Sequence, residues 1–161
     1  VYADPGNERA TATRGLLHDG NRRPSANGEI MPVIGKGDAG YRVPRIVVDI
    51  NRARPIDLAI IDGIVSMTGG EGYWNTKQVG ISVPNLLIAG TNSVCTDAVG
   101  ASIMGFDPLA ADFTKPFYNG ANTLRLAAEQ NLGTHRLEEI DVVGLSVEEA
   151  RYNYLPGAKW R

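Results

Sequence analysis

One cysteine, two histidines and few aromatic residues leave this 161-residue chain with little of what many catalytic and metal centres are built from. Cys95 stands alone, so no disulfide can form within the chain. A zinc site built from several cysteines and an iron–sulfur cluster held by this chain alone are excluded on the same ground. No apolar run approaches the roughly 20 residues of a membrane-spanning helix, and no secretory signal pattern is visible. The formal net charge of −2 gives no electrostatic reason to expect nucleic acid or an anionic membrane as partner. Two light arginine clusters, Arg22-Arg23 and Arg42, Arg45, Arg52 and Arg54, read as a phosphate track or as a solvated face. The chain opens at Val1 rather than Met, which reads as a processed, truncated or excerpted protein.

What is present suits one domain. A hydrophobic content of 43% at this length can bury a real core. Residues 1–40 are rich in Gly, Pro, Asn, Asp and Arg and read as an irregular segment, with the α/β domain spanning 41–161. A loop of that length is either functional or packed on something else. Apolar spacing predicts a helix from Pro44 to Ala53, with Ile46, Val47, Ile50 and Ala53 on one face. Leu58 to Ile61 and Asn85 to Ala89 read as short buried strands, and Ile140 to Val143 as a third. Val94 to Met104 reads as a helix of small residues capped by Gly105, and Asp107-Pro108 as the start of another. Asn122 to Asn131 is a further helix, closed by Gly133, and Ser146 with Glu149 is a capping box for a last one. Helices alternating with short apolar strands predict an α/β layered fold with flanking helices. Three strands are few for a self-sufficient sheet. Further strands in 1–40, missing sequence or a partner must complete it.

The plausible chemistry lies between Pro55 and Pro108. Ligands of open α/β sheets sit beyond the carboxyl ends of strands. Asp62, closing a strand, could therefore bind a metal or a substrate hydroxyl, or simply cap its own turn. Gly69-Gly70-Glu71-Gly72 could cradle an anion through backbone N–H groups, but it is neither a Walker loop nor a Rossmann fingerprint. Tyr73 and Trp74 on that loop could stack on a ligand or pin the loop to the body. Asn92 or Ser93 is the expected N-cap of the following helix, which puts Cys95 and Asp97 in its first turn. Cys95 there could act as a thiolate nucleophile, with His18 or His135 as the available base. Its other reading is a buried, inert side chain. Asp97 could join Asp62 and Glu71 in an oxygen-ligand site for Mg²⁺ or Ca²⁺, or be a first-turn aspartate and no more.

The order Pro55-x-Asp57-Leu58-Ala59-Ile60-Ile61-Asp62-Gly63-Ile64, Gly69-Gly70-Glu71-Gly72, Ile88-Ala89-Gly90, Thr96-Asp97-Ala98-Val99, Met104-Gly105-Phe106-Asp107-Pro108 and Asn131-Leu132-Gly133 resembles the family catalogued as domain of unknown function 362. The resemblance covers roughly residues 41–150 and implies an α/β protein. It further implies a neighbourhood of iron–sulfur redox proteins, and either the bacterial cytoplasm or export through the twin-arginine route. Asn92 stands where relatives often carry Asp, and Cys95 where a small apolar residue is common. The upstream portion that usually contributes strands is absent.

Two functions follow as expectations. One is an enzyme or cofactor-binding domain with a carboxylate-lined crevice. Its catalytic candidates are Asp62, Asp97 and Cys95, its ligand contacts Gly69, Gly70, Glu71, Trp74 and Asn92, and its metal ligands Asp62, Glu71 and Asp97. It requires Asp62 and Asp97 to lie close together. The other is a non-catalytic assembly module that docks on a larger complex, as a homo-oligomer or with another subunit. It has Asp62 and Asp97 pointing apart and residues 1–40 held by a partner. Cys95 is expected to be buried, without a histidine neighbour.

Overall fold

The computed structural model describes residues 22–24, 30–32, 39–68, 80–118 and 120–152. Two short strands, β1 (Arg22–Pro24) and β2 (Ile30–Pro32), precede helix α1 (Ala39–Ala53). Strands β3 (Ala59–Gly63), β4 (Ser66–Thr68), β5 (Gly80–Ser82) and β6 (Leu86–Gly90) follow. Helices α2 (Ser93–Ile103) and α3 (Thr123–Glu129), a 3-10 turn (Leu137–Glu139) and α4 (Val147–Ala150) complete the order. Helices combined with short strands in small sheets make a mixed α/β layered fold. The glycine-rich loop and its residues Gly69, Gly70, Glu71, Tyr73 and Trp74 lie outside the described residues, as does His18.

Every described strand pairs with one antiparallel neighbour: β1 with β2, β3 with β6 and β4 with β5. The β3–β6 pair is in register from Ala59 opposite Gly90 to Gly63 opposite Leu86. Antiparallel pairing corrects the expectation that Asp62 and the start of α2 lie beyond the same ends of neighbouring strands. The carboxyl end of β3 adjoins the beginning of β6, not its end. The strands are also not buried on both sides. Exposure alternates along β3 and β6, so only one face is covered.

Helix α2 is that cover. Val94, Ala98, Val99, Gly100 and Ile103 are all buried along it, so the helix is enclosed on most sides. It packs on β3, β6, α3 and α4. Its small residues permit the close approach: a Cβ added to Gly100 would sit 2.8 Å from Cδ1 of Ile61. Two core clusters result. One joins Val48 of α1 to Val94, Ala98, Leu124 and Ala127. The other joins Val99, Ile103 and Ala150, with Leu86 and Ile88 of the sheet packed against them.

Helix ends follow the sequence closely. Both α2 and α3 end in Schellman motifs, in which the chain turns through a left-handed residue and returns two N–H groups to the last-turn carbonyls. At α2 that residue is Gly105 (φ +81°), with Phe106 N–H on Ala101. At α3 it is Asn131 (φ 58°) rather than Gly133, with Leu132 N–H on Ala127. The capping box of Ser146 and Glu149 opens α4 with both reciprocal bonds.

Three expected elements differ. α1 begins at Ala39, not Pro44, and carries Pro44 inside it. The proline removes only the bond that would run to the Gly40 carbonyl, a modest loss this near the start. Asp107-Pro108 makes a turn rather than a helix: the Asp107 carboxylate accepts the Leu109 N–H at 2.8 Å, closing a local bond that competes with a helical one. Ile140 to Val143 forms no strand, because the residues before it close a 3-10 turn and no described strand pairs with it.

Candidate functional site

Asn92 ends the turn after β6 and is the N-cap of α2. Its Oδ1 accepts the Cys95 N–H at 3.0 Å, and its Nδ2 donates to the Leu132 carbonyl at 2.8 Å. Both ends of the amide are thus engaged within the fold. Thr96 closes the same corner by donating its hydroxyl to the Asn92 carbonyl at 2.7 Å. Two glycines make room. A Cβ on Gly90 would lie 2.2 Å from Thr96 Oγ1, and one on Gly133 would lie 2.3 Å from Asn92 Oδ1.

Cys95 sits at the third position of α2, in the first turn as expected. It is half-buried rather than buried, on the wall of a hollow of about 520 Å³ beside β6. Among the described residues no hydrogen bond joins it to His135, whose own Nδ1 is buried without a partner.

Asp97 lies one residue beyond the first turn, so the helix terminus does not stabilise its charge as the sequence suggested. It stands at the mouth of a second hollow of about 340 Å³, whose walls are largely apolar and include Ile103, Met104 and Phe106. Its side chain is partly exposed, yet the surrounding protein removes enough water to push its carboxyl above the ordinary value. No ion pair or hydrogen bond to it is formed among the described residues.

Asp62 borders the same hollow. Its Oδ1 accepts the Ile64 N–H at 3.0 Å, the turn-capping bond. Side chains alternate along a strand, and Ile61 is the residue that reaches α2. Asp62 is therefore directed to the face turned away from α2 and from Asp97. Among the described residues no three His, Cys, Asp or Glu side chains stand close enough to hold a metal ion.

The face that Asp62 shares is otherwise apolar. Ile60 is 63% exposed and Leu87 64% exposed on β3 and β6, and Leu58, just before β3, is 58% exposed. The continuous apolar runs predict strands buried on both sides, which leaves no open face. The alternation that reveals it needs the pairing partner to be known.

A family model described as Domain of unknown function (DUF362) matches residues 10–102. The chain belongs to this family. The match runs through the β3–β6 pair and ends within α2. No curated protein and no solved structure matches the chain. Among the described residues no helix is long and apolar enough to cross a membrane.

The part of the chain beyond the match supplies a bonded scaffold that the sequence does not reveal beyond the helix start at Asn122. Asn122 is fully buried; its Nδ2 donates to the carbonyls of Pro108 and Ala110, and its Oδ1 caps α3 at the Arg125 N–H. Asp112 accepts the Asn122 N–H on Oδ1, and both of its oxygens accept from Nη2 of Arg125, whose Nη1 donates to Glu129. The Asn122 N–H and then the Arg125 guanidinium hold its carboxyl below the ordinary value. This is scaffold chemistry. A buried asparagine whose amide is engaged at both ends looks in sequence like any helix N-cap.

Proposed function

We propose that this domain is a docking module, and that the outward face of the β3–β6 pair is the surface by which it joins a larger complex. The observation that carries the reading is the exposure of Leu58, Ile60 and Leu87 on one side of a two-stranded sheet whose other side is packed on α2. Monomeric proteins rarely leave contiguous apolar surface open, and where they do it marks an interaction site. A two-stranded sheet is also marginal by itself and gains from a cover. The family resemblance points to iron–sulfur redox proteins as the class of complex. Light scattering on the purified chain tests the reading. Self-association or partner capture that disappears in Leu87→Asp, with the fold intact by circular dichroism, supports it. A strict monomer whose capture of its complex is indifferent to Leu87→Asp contradicts it.

A second reading rests on Asp97. Its carboxyl, unpaired among the described residues, at the mouth of an apolar hollow that Asp62 borders, suits a ligand with a cationic group. For Mg²⁺ or Ca²⁺ the site would rest on Asp97, with Glu71 as the other expected ligand and without Asp62, whose side chain is directed to the other face of β3. Calorimetric titration with CaCl₂ and MgCl₂ checks it: heat that is lost in Asp97→Asn supports a cation site, and no heat at millimolar metal rules it out.

A further inference from the structure

The larger hollow is a gap at a sheet edge. One wall is β6, from Leu86 to Gly90; the other is the chain from Glu139 to Leu145; Val99 and Ile103 of α2 form the floor. Among the described strands β6 pairs only with β3. Among the described residues no backbone hydrogen bond reaches its outer edge, so alternate N–H and C=O groups there face the gap. Across the gap, Asp141 to Leu145 make no backbone hydrogen bond either, and Val143 is 96% exposed. Both walls carry backbone groups unpaired among the described residues, and Val99 and Ile103 give the gap an apolar floor. An extended chain is the one occupant that can answer both walls at once.

The charge of the gap narrows the occupant. Among the described residues its charged lining residues are Glu139 and Asp141, with no Lys, Arg or His. Glu139 already accepts the Thr134 hydroxyl, whereas among the described residues no hydrogen bond or ion pair to Asp141 is formed. We propose that this gap receives one β-strand of a partner polypeptide, with apolar side chains toward α2 and a basic residue beside Asp141. At about 3.3 Å per residue, the five residues of β6 match an occupant of about five residues. Strand addition of this kind takes affinity from main-chain bonds and specificity from the alternate side chains. The surface is the sheet's edge rather than its outward face. The inference therefore stands or falls separately from the docking face.

Hydrogen exchange on the full chain tests it, with the peptide acetyl-Lys-Val-Lys-Val-Lys-Val-amide as probe. The peptide is expected to slow exchange of alternate β6 amides at least tenfold. The same peptide with Glu for Lys should bind about fivefold more weakly, the scale of an exposed ion pair. A version N-methylated at every residue should not bind, because it has no N–H to give either edge. Asp141→Lys should reverse the preference between the two charged peptides; Asp141 is exposed and unbonded among the described residues, so the fold should tolerate it. The proposal is overturned if the lysine peptide leaves β6 exchange unchanged at millimolar concentration. It is equally overturned if the N-methylated peptide protects as well, or if the outer β6 amides are already protected without peptide, which would mean that the chain closes its own edge.

Discussion

The two faces of the β3–β6 pair are built from the same kinds of residue and meet opposite fates. Ile61, Leu86 and Ile88 lie toward α2, and Leu86 and Ile88 pack on Val99, Ile103 and Ala150. Ile60 and Leu87, one position along, lie more than three-fifths exposed. Composition cannot separate them, because an isoleucine and a leucine occur on each side. Only the alternation of the strand and the position of α2 decide which side becomes core. The residues on the covered side stabilise this domain, and those on the open side are free to stabilise something else.

That contrast can be broken from the inside first. Ile103→Ala removes a buried side chain beneath the covered face, where Gly100 already fixes a close approach and leaves little room to collapse. A loss of about 3 kcal/mol is expected in urea unfolding. A loss near zero would mean that the covered face is not core. The next effect belongs to the scaffold beside it. Asp112→Ala removes the acceptor for the Asn122 N–H and for Arg125, at a cost of about 1 kcal/mol at pH 7, kept small because the pair is partly solvated. Its folded-state carboxyl titrates below its unfolded value. Its stabilisation is therefore present above the ordinary carboxylate pKa and disappears as pH falls through the depressed one. The gap between parent and variant should close on acidification; a gap that widens would contradict the assignment.

Asp97 should respond in the opposite sense and more weakly. Its folded-state carboxyl titrates above its unfolded value, so the penalty is present at neutral pH, is relieved as pH falls through the raised folded value and is gone below the ordinary one. Asp97→Asn is expected to leave stability unchanged or raise it by up to about 0.5 kcal/mol at pH 7, with the difference vanishing in acid. A destabilised variant at pH 7 would show that the charge has a partner.

What the sequence made legible was local. Gly105, Asn122 and the Ser146–Glu149 pair mark helix ends through bonds made within a few residues, and each lies where its chemistry requires. The small residues of α2 likewise announced a closely packed helix. Pairing was less legible. Leu58 to Ile61 and Asn85 to Ala89 read as strands, but neither run states whether its neighbour is parallel, nor which face a helix will cover. Ile140 to Val143 has strand composition and no described partner, which composition alone cannot reveal. The candidate site suffered from the same limit. Asp62 and Asp97 do border one hollow, but antiparallel pairing and the two-residue period of β3 direct their side chains to different faces. Asn92 was legible as a cap; its second bond, to the Leu132 carbonyl, needed the fold.

On the docking reading, the outward face of the β3–β6 pair is not used by the domain's own fold. Urea unfolding of Leu87→Asp against the parent chain tests it most directly, at a concentration low enough to keep both dispersed. A surface position tolerates such a change to within about 0.5 kcal/mol, and that is the expected difference. A loss of several kcal/mol, the signature of a charge forced into a core, would show that the domain buries this face itself and would contradict the account.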